Sequence, residues 1–276
     1  MTESFHLHTS DGLALQGVHW PLAQPTGVVA LLHGLGEHIG RYQHVADRLN
    51  QAGYAVMGFD QRGHGASPGR RGHTPGYGLL MESIDRLLGA VNQAYPNRPV
   101  WLYGHSFGGN QVLNYVLRKP QQVAGVIASG PWLRLVMNIN IVKVGLSKIA
   151  YYVLPRYTES NRVEARLTSH DPAMVSAYAT DPLIHDRVTA RLFVSAQRAG
   201  LYALHHAAQL QIPCLVMHGG EDPITAPTAS RSFCVRAGEN ATYKEWPGLY
   251  HEVHNEVERG EVLDYVVHWL DTNTPA

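Results

Sequence analysis

Every position from Val28 to Leu32 is apolar, and similar apolar-rich runs return in YAVMGF (54–59), VWLY (100–103), VAGVIAS (123–129) and IPCLVMHG (212–219). Such runs suit strands covered on both faces, the situation inside a parallel sheet. Between them the period changes. In RYQHVADRLNQAG (41–53), Val45, Ala46 and Leu49 recur at helical spacing, and Gly53 stands where a helix ends. Residues 77–95 read as a second helix, and NQVLNYVLR (110–118) carries Val112, Leu113, Val116 and Leu117 on one face. ATYKEW (241–246) predicts a further strand, and helical stretches follow the last two strands. The opening FHLHTSDGLALQGVHW (5–20) differs: Asp11-Gly12 between two extended stretches predicts a β-hairpin. Strand and helix otherwise alternate, which predicts βαβ units and a mostly parallel central sheet with helices on both faces.

The alternation breaks between about Pro131 and His206. This stretch shows no clear buried strand and predicts a mainly helical cap inserted into the sheet domain. The expected division is a core of residues 1–130 and 207–276 and a cap of 131–206. Leu135 to Leu154 is long and apolar, but Asn138, Asn140, Lys143 and Lys148 would be costly in a bilayer core, so a cap or interfacial helix is expected. Leu135, Val136, Ile139, Val142 and Leu146 are spaced to share a helical stripe, which either packs on the core or stays open to lipid.

Within VWLYGHSFGGN, Gly104-His105-Ser106-Phe107-Gly108 fits G-x-S-x-G, with a strand before it and a helix after it. That context is the one the motif requires: a serine on a sharp strand-to-helix turn, as in the α/β-hydrolase fold. A serine needs a base. In this fold the acid and then the histidine follow the nucleophile along the chain. Asp222, in LVMHGGEDPIT, and His251, in YKEWPGLYHEVHNE, both fall just after strands. Glu221 rivals Asp222 as the acid, and His254 rivals His251 as the base. The oxyanion hole needs two backbone N–H groups; Phe107 and Leu35, in HGLGEH after the first buried strand, are expected to supply them.

Composition narrows the alternatives. Lys plus Arg and Asp plus Glu both number 22 in 276 residues, so no basic field draws in nucleic acid. HEVH (251–254) spaces its histidines three apart instead of the four of a zinc protease, and no Cys/His cluster has zinc-site spacing, so neither metal nor cofactor is expected. Cys214 reads as a buried free thiol, and a bond to Cys234 stays open. The N-terminus MTESFHLHTSDG has no basic head before an apolar run, which predicts a cytoplasmic location.

HGLGEHIGRY, FDQRGHGAS, GHSFGGN, HGGEDPIT and GLYHEVHNE together resemble the monoacylglycerol lipase branch of the α/β-hydrolases, over nearly the whole length. The resemblance implies the same triad of Ser106, Asp222 and His251 and the same oxyanion donors. It also implies a polar pocket for a glycerol head at Glu37, Arg41 and His105, with Tyr178 of SAYATDPL from the cap. Glu37 and Arg41 have a second reading, as a structural ion pair beneath the loop. The function implied is hydrolysis of a small lipid ester through an acyl-enzyme, with transient cap contact to membrane or lipid aggregates. Lysophospholipase, carboxylesterase, serine aminopeptidase and a non-catalytic receptor on the same fold remain alternatives, and the oligomeric state is not implied.

Overall fold

The apolar runs lie side by side in one sheet. The computed structural model describes residues 2–119, 123–136 and 141–274, with the backbone alone for 141–144. The strands are β1 (Glu3–His8), β2 (Ala14–Trp20), β3 (Gly27–Leu32), β4 (Tyr54–Phe59), β5 (Val100–His105), β6 (Gly125–Ser129), β7 (Thr158–Ser160), β8 (Arg187–Thr189), β9 (Cys214–Gly219) and β10 (Ala241–Trp246). The helices are α1 (Gln43–Gln51), α2 (Tyr77–Ala94), α3 (Phe107–Arg118), α4 (Ile141–Val153), α5 (Pro172–Thr180), α6 (Ala190–His206), α7 (Pro227–Ala237) and α8 (Arg259–Asn273).

Eight strands form the central sheet in the order β1-β2-β4-β3-β5-β6-β9-β10. The hairpin β1–β2 joins antiparallel at one edge, and β4 through β10 pair parallel. Alternation along each strand explains the unbroken apolar runs. Val28, Ala30 and Leu32 face one core with α2, α3 and α7; Val29 and Leu31 face a second core with α1 and α8. Each face must therefore be apolar, and full burial of one such side chain is worth about 1.5–3 kcal/mol. Cys214 and Cys234 are both buried and free, in the first of these cores.

The stretch 131–206 holds α4, α5, α6 and a small antiparallel pair, β7–β8, which its sequence did not signal. Helix α6 packs along α3, burying Leu192, Ala196, Ala199 and Ala203. Helix α4 packs against α6 but leaves Leu146, Ile149 and Val153 about 60% exposed or more. Of the expected stripe, Ile139 and the side chain of Val142 lie outside the described residues. Leu135 is half-buried and Val136 exposed. Among the described residues no helix is long and apolar enough to cross a membrane.

The parallel strands all end on one edge, and the loops there carry the polar residues. FDQRGHGAS braces that edge. Asp60 accepts hydrogen bonds from the N–H groups of Ile39 (2.8 Å) and Ala66 (2.7 Å). Arg62 forms a two-pronged ion pair with Asp11 at 2.9 Å, tying the loop to the hairpin turn.

Candidate active site

Ser106 joins β5 to α3 and has φ +51°, ψ −109°, a conformation costly for a residue with a side chain. Glycine neighbours make the turn feasible. A Cβ on Gly104 would collide with the carbonyl of Gly108, and one on Gly108 with the carbonyl of Leu32. Strand, helix and serine can approach this closely only because both positions lack a side chain. The turn is held by Ser106 N–H donating to Ser129 O (2.9 Å) and by Trp132 N–H donating to Ser106 O (2.9 Å). Phe107 is the first residue of α3, so its N–H has no partner within the helix. The loop after β3 passes against this turn: a Cβ on Gly34 would stand 3.2 Å from Ser106 Cβ. Leu35 follows it on the cavity wall.

Asp222 and His251 come from the loops after β9 and β10, two strands paired in parallel register. The Oδ2 of Asp222 lies 2.7 Å from His251 Nδ1. A carboxylate only accepts, so Nδ1 carries a proton, and in the neutral form of the ring Nε2 keeps its lone pair. The carboxylate is saturated. Its Oδ2 also receives His218 Nε2 (2.9 Å) and Thr225 Oγ1 (2.7 Å), while its Oδ1 receives the N–H groups of Ile224 (2.7 Å) and Thr225 (3.0 Å). Burial would raise the Asp222 carboxyl, but the positive charge of His251 and the hydrogen bonds from His218 and His251 hold it well below the usual carboxylate range. Burial would lower His251, yet the Asp222 carboxylate outweighs it and raises the imidazole above its ordinary value. The two rivals stand elsewhere. Glu221 is exposed. His254 is fully buried, stacked on Tyr42 with ring centroids 5.0 Å apart, and neither of its ring nitrogens has a hydrogen-bond partner among the described residues.

Glu37 and Arg41 belong to a buried network. Arg41 Nη1 donates to Glu37 Oε2 and to Glu252 Oε1 (2.8 Å), and Nη2 donates to Glu252 Oε2 (2.7 Å). Glu37 Oε1 in turn accepts from Gly34 N–H (2.5 Å) and Tyr42 OH (2.8 Å). Burial would raise the Glu252 carboxyl, but the charge of Arg41 and its hydrogen bonds hold it well below the usual range. The guanidinium also lies 4.8 Å from the centre of the Tyr178 ring.

Ser106, His251, Glu37, His105 and Tyr178 all border one cavity of about 730 Å³. Arg41, expected to face a head group, stands one layer behind Glu37 and Glu252, because both carboxylates claim its guanidinium. His105 lies 4.7 Å from His251, ring centre to ring centre, and burial together with the charge of His251 lowers it to about 3, so it stays neutral. The cavity wall also carries the apolar side chains of Leu135, Leu146, Ile149, Val153, Phe193 and Ile224. Sequence reasoning missed Glu252, His218 and Thr225. The only sequence signal for them was a clustering of polar residues, in HGGEDPIT and YHEVHNE, too dense for two ordinary surface loops.

A serine on a strained strand-to-helix turn, with an aspartate and a histidine on later loops at the same sheet edge, defines an α/β-hydrolase. The chain belongs to the family described as serine aminopeptidase, S33, whose model matches residues 23–258. It is 37% identical over 252 residues to monoacylglycerol lipase of Mycolicibacterium smegmatis, covering 91% of this chain and 90% of that protein. It is 36% identical over 275 residues to an uncharacterized abhydrolase domain-containing protein of Dictyostelium discoideum; that match covers 98% of this chain but 29% of the longer protein. Among solved structures, the monoacylglycerol lipase of Paleococcus ferrophilus has a TM-score of 0.87 and 34% identity, covering 94% of this chain and 99% of that one. The chain is a serine ester hydrolase with the monoacylglycerol lipase type of fold.

Proposed function

We propose that the protein hydrolyses monoacylglycerols to fatty acid and glycerol by two-step acyl transfer. His251 Nε2 takes the proton of Ser106 as its Oγ attacks the ester carbonyl. The carbonyl oxygen, now an anion, is received by the N–H groups of Leu35 and Phe107. Glycerol departs with the proton from His251, and water, deprotonated by the same imidazole, releases the acid. Asp222 holds the imidazole in the required tautomer throughout.

The observation that carries this reading is one cavity of about 730 Å³ that is bordered by Ser106 and His251 and lined by both polar groups and a set of apolar side chains. An ester of a long acid and a small polyol presents both kinds of surface. In this reading 131–206 is the cap over the site. The exposed apolar residues of α4 touch lipid aggregates, and Glu37, His105 and Tyr178 face the head group while Arg41 holds Glu37 in place. The names of the relatives point the same way.

The family's description favours one rival, an aminopeptidase. Glu37 argues against it as the holder of a substrate amine, because Arg41, Gly34 and Tyr42 already engage its carboxylate. A panel of mono-, di- and triacylglycerols beside aminoacyl anilides tests the proposal. Hydrolysis of monoacylglycerols far above the rest is expected. Comparable rates on mono- and triacylglycerol, or preference for the anilides, would overturn it.

A further inference from the structure

We infer that His218 is a positioning residue of the hydrolysis: it donates Nε2–H to the Asp222 carboxylate and so moderates the hold of Asp222 on the proton of His251. The inference rests on the triad proposed above and adds a side chain that acts through it.

His218 is fully buried near the end of β9, in the run CLVMHG. A buried polar ring is costly unless its nitrogens find partners. Both do. Nδ1 lies 2.8 Å from Ser230 Oγ on α7, itself fully buried. Nε2 lies 2.9 Å from Asp222 Oδ2 and 3.3 Å from Thr225 O. A carboxylate and a carbonyl only accept, so Nε2 carries a proton. In the neutral ring Nδ1 is then the acceptor, and the Ser230 hydroxyl donates to it. Ser230 thereby favours the tautomer that faces Asp222.

Two imidazoles thus share one oxygen. Oδ2 receives His251 Nδ1 at 2.7 Å, His218 Nε2 at 2.9 Å and Thr225 Oγ1 at 2.7 Å. The orientation of the carboxylate has other supports. The N–H groups of Ile224 and Thr225 hold Oδ1, and Thr225 Oγ1 and His251 hold Oδ2. What His218 adds is partial positive charge against the carboxylate. A donor of this kind stabilises the ionised acid and makes it a weaker base.

His251 must take a proton from Ser106 and return it to the leaving alcohol, which goes best when its pKa stands near the working pH. The Asp222 carboxylate raises that pKa, and the second imidazole offsets part of the pull. Glu252 and Glu37 also raise His251, and the neutral His105 ring lies 4.7 Å from it. Beside His218, its register partner on β10 is Glu245, whose carboxylate accepts from Tyr243 OH (2.7 Å) and Arg231 Nη2 (2.7 Å). Among the described residues none of these donates to Oδ2.

The test is the acid limb of kcat/KM on a short water-soluble ester, measured for wild type, His218→Leu and His218→Gln. Leu removes the donor at similar bulk, and Gln keeps an N–H on a side chain of similar reach. In His218→Leu the limb should move up by about half to one pH unit, while activity above the limb falls less than about tenfold. In His218→Gln the limb should stay within about 0.2 pH unit of wild type. A residue that only fills the core would cost both variants stability and leave the limb in place. That result would overturn the inference, as would a Gln variant whose limb moves as far as that of Leu. Wild-type protein gives a second measurement that needs no variant. At about pH 8 the ring-nitrogen NMR shifts of His218 should show Nε2 protonated and Nδ1 bare, and the opposite tautomer would remove the proposed donor. A Ser106→Ala variant that kept its activity would defeat the triad itself. An unmoved limb beside an inactive Ser106→Ala variant defeats the role of His218 alone.

Discussion

Arg41 and Glu252 form a two-pronged ion pair, 2.8 and 2.7 Å, between residues 211 positions apart. Glu252 directly follows His251, and Arg41 reaches through Glu37 to the N–H of Gly34. The pair therefore joins the loop of the proposed base to the loop of the proposed oxyanion donor. Distance between these loops decides whether one transition state can touch both, so the Arg41–Glu252 pair bears on the geometry of the site.

Glu252→Gln should test that link. It leaves Arg41 with half its buried compensation, and breaking a buried pair costs about 3–5 kcal/mol. Thermal unfolding should show the lost stability. At temperatures where the variant is folded, kcat should fall in parallel on monoacylglycerol and on a methyl ester of the same acid, with KM little changed. A rise in KM confined to monoacylglycerol would instead make Glu252 a head-group contact.

Ser106→Ala and His251→Ala should each lower kcat by about 10⁴- to 10⁶-fold, and the double variant should be little worse, because residues acting as one unit are not additive. Fluorophosphonate labelling should vanish in Ser106→Ala. Asp222→Asn should also be severe, since an amide can present an N–H to His251 and turn it to the wrong tautomer. Glu221→Gln should be near neutral, its side chain being exposed.

The pH profile follows from His251. Its neutral form is the base, and its pKa is raised above 6.5. Activity should therefore be present above that raised value and fall away as pH drops through it, so the acid limb of kcat/KM should be centred above pH 6.5. Removing the Asp222 charge leaves burial as the dominant influence, which lowers the imidazole. The residual activity of Asp222→Asn should accordingly keep its acid limb at lower pH than wild type. A limb unchanged by this substitution would assign it to another group.

Leu146 and Ile149 are 59% and 61% exposed and also border the cavity mouth. Replacing both with serine should cost little stability, since few of their atoms are buried. Activity on long-chain monoacylglycerol presented in vesicles should drop several-fold, while a short water-soluble ester is spared. Equal losses on both substrates would remove the lipid-contact role of α4.

Much of this was legible from spacing alone. A strand covered on both faces must be apolar at nearly every position, so β3, β4, β5, β6 and β9 stand out, and the serine between β5 and α3 needs only its immediate glycines to make its turn. Those are local requirements, written within a few residues of one another. Choosing between near neighbours needed the fold. Asp222 and Glu221 are adjacent and chemically alike, and only the packing of the loop after β9 buries the first on His251 and exposes the second. His251 and His254 differ in the same way, one against a carboxylate and the other against the Tyr42 ring. The Arg41–Glu252 pair left no trace in the sequence. A hydrogen bond between residues far apart depends on where chain folding brings their ends, and no local pattern records that distance.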